Sequence, residues 1–118
     1  MPYIELKTTV PVDMSKKEEL REDFGKAITL VPGKTEDVLM VEIEDQKDMW
    51  LGASKLDKGA YLSVDYFGVV EDKYLDLLND ELFKILKEKL SLQQEQIYVT
   101  FTPRADWGMP SGCIHGKK

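Results

Sequence analysis

Pro2 opens the run Pro2-Tyr3-Ile4-Glu5-Leu6-Lys7-Thr8-Thr9, which alternates apolar and polar residues as a strand with one buried face does. Removal of Met1 would leave this proline with a free secondary amine, held at a strand end by a ring that fixes φ. An ordinary α-amino group titrates at about 7.7–8.0. A secondary amine starts higher, and an apolar pocket or a nearby cation brings it down. A base poised near the working pH suits removal of a proton from carbon next to a carbonyl. The other chemistry-bearing residues point less clearly. Gly33-Lys34-Thr35 is not a phosphate loop, because Ile28 stands where that motif needs its first glycine. A strand rather than a helix is predicted after it, so no helix N-terminus cradles a phosphate there. Glu42, Glu44, Asp45 and Asp48 run from a strand end into a loop and read as a solvated face. Cys113 and His115 lie in the tail, a poor place for a nucleophile and its base.

The elements that must position these residues form a repeat. Tyr3-Ile4-Glu5-Leu6 recurs as Tyr61-Leu62-Ser63-Val64, 58 positions on, and the same offset carries Val38-Leu39-Met40-Val41 onto Gln96-Ile97-Tyr98-Val99. A helix lies between the strands of each pair. The first is predicted to begin at Ser15-Lys16-Lys17-Glu18, a capping box. Its apolar face is Leu20, Phe24, Ala27, Ile28 and Val31, and Val31-Pro32-Gly33 stops it. The second runs from about Asp72 to Leu90 and buries Leu75, Leu78, Leu82, Ile85 and Leu86. Two β-α-β units, about 2–44 and 60–102, and a tail over 108–118 make one domain across 1–118. Right-handed crossovers make the strands of each unit parallel. The expected α/β (α+β) fold is a four-stranded mixed sheet with both helices on one face. Leu39, Met40, Val41 and Ile43 read as a strand that is apolar on both sides, which calls for a cover on the second face. Another subunit is the natural cover.

Composition narrows the function classes. The 118 residues suffice for one core but not two. A net charge of -6 argues against nucleic acid, whose phosphates need clustered Lys and Arg. No apolar run nears the roughly 20 residues that cross a membrane. The N-terminus carries no basic segment followed by an apolar stretch, so a cytoplasmic protein is expected, unless it is exported by a route that needs no signal. Cys113 alone allows no internal disulfide, and with the single His115 it disfavours a structural zinc site.

Met1-Pro2-Tyr3-Ile4, Gly33-Lys34, Gly52-Ala53-Ser54, Ile97-Tyr98-Val99 and Ala105-Asp106-Trp107-Gly108 fall in an order and spacing that resemble the macrophage migration inhibitory factor (MIF) family of the tautomerase superfamily. The resemblance implies a homotrimer with active sites at subunit interfaces. It also implies keto–enol tautomerisation of substrates such as phenylpyruvate, without a cofactor. Residue by residue, Pro2 matches the catalytic base and Lys34 the lysine that binds a substrate carboxylate. Phe67 takes the position whose backbone amide contributes to the pocket, replacing a smaller aliphatic residue. Tyr98 matches an aromatic wall supplied by the neighbouring subunit, and Trp107 and Met109 fall on the apolar rim. Thr100 stands where the best-known members have asparagine, so one amide is lost. The run Met109-Pro110-Ser111-Gly112-Cys113-Ile114-His115 departs from the family's usual ending. The cysteine pair of some animal members maps to Gly59 and Leu62, so a thiol-redox activity does not transfer.

The residues suit that chemistry on their own terms. An enolisable 2-keto acid needs a base for a carbon-bound proton, a cation for its carboxylate and donors for the developing enolate oxygen. Pro2 would supply the base and Lys34 the cation, inside a cavity walled by Tyr98, Phe67 and Trp107. The competing reading is a trimeric, cytokine-like binding or signalling module that keeps the pocket without efficient catalysis. A β-α-β regulatory module that binds an amino acid at a subunit interface is a third.

Overall fold

Alternate residues of the first strand, β1 (Pro2–Thr8), are buried, and the same alternation runs through β5 (Ala60–Phe67) in this computed structural model, which describes residues 1–116. Between them come α1 (Met14–Ile28), β2 (Met40–Glu44) and a short hairpin of β3 (Trp50–Leu51) with β4 (Ser54–Lys55). After β5 follow α2 (Asp72–Leu90), β6 (Ile97–Arg104) and a second hairpin, β7 (Asp106–Met109) with β8 (Gly112–His115). The main sheet has the order β2-β1-β5-β6. β2 is parallel to β1 and β6 to β5, while the central pair β1–β5 is antiparallel. The expected mixed four-stranded sheet with two helices is therefore the one observed. Its core joins Ile4, Leu6, Leu62 and Val64 to Leu20, Phe24, Ile28, Leu78, Leu82 and Leu86, all at most 1 % exposed. Each such side chain contributes about 1.5–3 kcal/mol through burial. Leu75, expected in the core, packs only partly buried against its edge.

The first helix begins earlier than its capping box suggested. Asp13 is the N-cap, its carboxylate accepting from the Lys16 backbone N–H at 2.8 Å, and Ser15 lies inside the first turn. Asp and Ser cap about equally well, but Asp13 is the residue with extended backbone, φ -74° and ψ 170°, so its carboxylate takes the orphan donor. Regular helix also ends earlier, at Ile28. The chain then turns through Thr29, Leu30 and Val31 before Pro32-Gly33, with Val31 buried. α2 keeps the predicted limits, Asp72–Leu90, and closes on Ser91 in a left-handed conformation.

The repeat is longer than the two β-α-β units. An offset of 58 relates the starts of β1 and β5 and the starts of α1 and α2. It also relates the 3-10 turns at Glu36–Val38 and Gln94–Gln96, and it carries the β3–β4 hairpin into the β7–β8 hairpin. Residues 108–115, expected as part of a tail, thus belong to the second copy. The central pairing obeys the same symmetry. Pro2 faces Tyr66 and Ala60 faces Thr8, while Phe67 N–H donates to Met1 C=O and Thr9 N–H donates to Gly59 C=O, both at 3.2 Å.

β2 corrects the expectation of a strand apolar on both sides. Leu39 precedes the strand, Val41 and Ile43 pack towards the helices, and the second face carries Met40, Glu42 and Glu44. That face of the sheet is polar and internally paired. The Tyr3 hydroxyl reaches Glu42 at 2.6 Å and Glu5 at 2.9 Å, Arg104 meets Asp65 at 3.1 Å, and the Tyr61 and Thr100 hydroxyls lie 2.8 Å apart. The two carboxylates beside it, Glu42 foremost, push the Tyr3 phenol well above its ordinary value. Asp45 is likewise more than a solvated charge: it accepts from the Val12 N–H at 2.7 Å and holds the β1–α1 connection.

Candidate functional site

Pro2 begins β1 at one end of the sheet, buried, on the helix-covered side. Two neighbouring segments converge there. Val31 C=O accepts from the Lys34 N–H at 3.1 Å, and Gly33 takes φ +78°, a left-handed conformation open to glycine. This turn sends the lysine side chain across to the end of β5, where Nζ donates to Phe67 C=O at 2.8 Å. The Phe67 N–H in turn donates to Met1 C=O. Phe67 thus offers both main-chain groups towards the N-terminus, one to Met1 and one to Lys34. Gly68, at φ +87°, ends the strand, and its N–H is held by Arg104 C=O at 2.9 Å.

The electrostatics favour the uncharged form of an amine here. Burial, and after it the positive Lys34, hold the terminal ammonium of Met1 below its ordinary value. Burial also lowers Lys34. Both effects disfavour the charged forms, by desolvation and by like-charge repulsion. With Met1 in place the Pro2 nitrogen is an amide and not basic, and the Met1 carbonyl takes up the Phe67 N–H.

The other candidate residues divide by location. Tyr98 and Thr100 project from the opposite face of β6, and Tyr98 is 64 % exposed. Tyr66 faces both Pro2 and Pro103, so Tyr98 lies five residues along β6 from the Pro2 level, roughly 17 Å at about 3.3 Å per residue. One chain does not bring Tyr98 to Pro2. Tyr98 instead borders, with Trp50, Met49, Leu51, Leu56 and Ile97, a cavity of about 70 Å³ at the far end of the sheet. Trp107 and Met109 are half-buried on β7, opposite Ile114 and Gly112. The base of that hairpin abuts the site: Gly116 N–H donates to Ala105 C=O, and a Cβ on Gly116 would come within 3.2 Å of the Phe67 ring.

Two participants were not legible beforehand. Met1 matters through its own main chain. Tyr66 stands directly across from Pro2, 5 % exposed, with burial and then the Asp72 carboxylate raising its phenol above the ordinary value. The alternation of β5 marks Tyr66 as inward-facing, but only the antiparallel register says what it faces.

Among the described residues no helix is long and apolar enough to cross a membrane. No match was found among curated protein sequences. The sequence model of the family described as macrophage migration inhibitory factor (MIF) matches residues 1–113. Solved structures with the same fold include MIF2 of Leishmania major, 20 % identical over 97 % of both chains with a TM-score of 0.88. The Toxoplasma gondii MIF is 20 % identical over 95 % of this chain and 99 % of its own, with a TM-score of 0.80. Pt0534, in a structure described as inactivated by 2-oxo-3-pentynoate, is 20 % identical over 96 % of this chain and 94 % of its own, at 0.82. The match of the family model over nearly the whole length, on the same fold, establishes that this chain belongs to the MIF family of the tautomerase superfamily.

Proposed function

We propose that this chain is a cofactor-independent keto–enol tautomerase acting on 2-keto acids or their enols, with the Pro2 amine of the Met1-free form as general acid and base. The observation that carries the reading is the convergence at the N-terminus. Lys34 Nζ and the Phe67 N–H both meet the end of the chain there, and the N–H binds a carbonyl oxygen, that of Met1. Removal of Met1 frees that donor and turns the adjacent amide nitrogen into an amine. The burial and the cation that lower the Met1 ammonium would act on the Pro2 amine in the same direction.

In the ketonisation direction, the protonated amine delivers its proton to the enol carbon, while the enol O–H proton leaves to solvent or returns to the nitrogen. In the reverse direction the free amine takes the carbon-bound proton. Lys34 holds the substrate carboxylate, and the Phe67 N–H offers a hydrogen bond to a substrate oxygen. No step needs a metal or redox group. The family is typically trimeric, and the exposed Trp50 and Tyr98, which border one cavity, support a homotrimer here. In such an assembly Tyr98 and Thr100 of one subunit would complete the site of the next, and Trp107 and Met109 would form its rim. The separation of roughly 17 Å between Tyr98 and Pro2 within one chain supports that division. A relative inactivated by a 2-oxo acid fits the same substrate class.

The test is the ketonisation of enol-phenylpyruvate, followed by ultraviolet absorbance, on protein whose intact mass shows Met1 removed. Pro2→Ala is expected to lower the rate at least tenfold. Absence of activity on this and related enols in the Met1-free protein would overturn the enzymatic reading and leave the binding-module alternative.

A further inference from the structure

The hydrogen bonding of the central strands fixes an arrangement that no motif announces. In an antiparallel pair, hydrogen-bonded and non-hydrogen-bonded facing residues alternate. Met1 and Phe67 form a hydrogen-bonded step, so Pro2 and Tyr66, one residue in, face each other at a non-hydrogen-bonded step. That fits a residue with no N–H to give. It is also the narrow step, with Cα atoms about 4.5 Å apart and side chains at their closest. Both side chains point to the helix-covered side and both are buried. The Tyr66 ring is therefore the nearest cross-strand side chain to the pyrrolidine. Its phenol feels the Asp72 carboxylate in the first turn of α2.

We propose that Tyr66 is a positioning residue for the Pro2 base: its ring packs on the helix-side face of the pyrrolidine, fixing the ring's orientation and keeping water from that side. The aromatic surface does this, not the hydroxyl. With Phe67 on the next position, consecutive residues of β5 then serve the site in two ways, one through its side chain and one through its backbone. The symmetry-related step supports a specific role. At Ala60, which faces Thr8, no base is called for, and the residue in the place of Tyr66 is a small threonine hydrogen-bonded to Gly59 C=O at 2.8 Å.

The inference rests on the reading of Pro2 as a base, so its test reads the amine as well as the activity. In Met1-free protein, the pH dependence of N-terminal alkylation by an electrophilic 2-oxo acid reports the titration of the amine without any turnover. Tyr66→Phe is expected to leave that titration unchanged. Tyr66→Ser, which admits water, is expected to raise its midpoint by about one pH unit, a roughly tenfold loss of free base below the midpoint. The acidic limb of the activity profile should move with it. An unmoved midpoint in folded Tyr66→Ser, or an equal shift in Tyr66→Phe, would overturn the proposal. If Tyr66→Ser does not fold, nuclear Overhauser contacts between the Tyr66 ring and the Pro2 δ-protons in the unmutated protein decide. Their presence supports the packing and their absence refutes it. Unmutated Met1-free protein that is inactive, but whose alkylation midpoint still rises in Tyr66→Ser and not in Tyr66→Phe, would count against the tautomerase reading while supporting this inference.

Discussion

Lys34→Met removes one charge and keeps most of the side-chain volume, and its consequences can be worked out from the contacts of Nζ. The ammonium donates one hydrogen bond to Phe67 C=O and has two further donors for a ligand. A hydrogen bond between charged groups contributes about 1.5–3 kcal/mol, which at about 1.4 kcal/mol per tenfold predicts a roughly 10- to 150-fold rise in KM for a 2-keto acid. A second effect has the opposite origin. Lys34 helps to lower the terminal amine, after burial, so its loss should raise the amine and move the acidic limb of kcat/KM to higher pH. The sign follows from repulsion, since removing a neighbouring cation makes the protonated amine easier to form. Stability should change little. Lys34's own value is lowered by burial, so its charge opposes folding and its removal relieves that cost, offsetting the lost bond to Phe67. The assay is enol-phenylpyruvate ketonisation across pH, run beside the methyl ester of the same substrate. With the ester, the KM difference between the unmutated protein and the Lys34→Met variant should largely disappear. A KM for the free acid within about threefold of the parent, in folded Met1-free protein, would refute the assigned role of Lys34.

Two further outcomes test other parts of the structure. Asp13→Ala should cost about 0.5–2 kcal/mol in urea unfolding, because the Lys16 N–H loses its cap, whereas Ser15→Ala should stay within about 0.5 kcal/mol; a larger effect at Ser15 would restore the capping box. Pro2→Ala and Tyr98→Ala subunits, each weakly active alone, should regain activity when unfolded and refolded together, since a mixed trimer can pair an intact base with an intact neighbouring wall. Activity no greater than the average of the two parents would place Tyr98 outside the shared site.

The fold was readable because its signals are local and repeated. The inward alternation at Ile4, Leu6, Leu62 and Val64 and the helical spacing at Leu78, Leu82, Ile85 and Leu86 survive in the structure. The first helix start was misplaced because Ser15 and Glu18 satisfy a pattern, while Asp13 satisfies the geometry. β2 was misread because Met40 was counted as a second apolar face, whereas Glu42 and Glu44 share its side and Leu39, Val41 and Ile43 all lie on the other. The site was only half legible. Lys34 and Phe67 stand in recognisable segments, but Tyr66 opposite Pro2 depends on a register between residues 64 apart, set by the antiparallel joining of the two repeats. No local window carries that information.

The 58-residue offset makes the peptide Gly59-Ala60 the counterpart of Met1-Pro2, with the same 3.2 Å bond to its carbonyl. One end of the sheet is a chain terminus and the other is a splice between halves. A main-chain amine exists only at a chain terminus, so a proline base needs a corner at which the chain begins. The corner at Gly59-Ala60 is closed: Leu92 stands buried where the symmetry would put a second Lys34, and the Thr8 and Thr9 hydroxyls seal Gly59. Severing the backbone between Gly59 and Ala60 would therefore create a new amino terminus in a corner with the right backbone and none of the chemistry. Ala60→Pro and Leu92→Lys on such a split chain would show whether the scaffold alone, given a free end, supplies the rest.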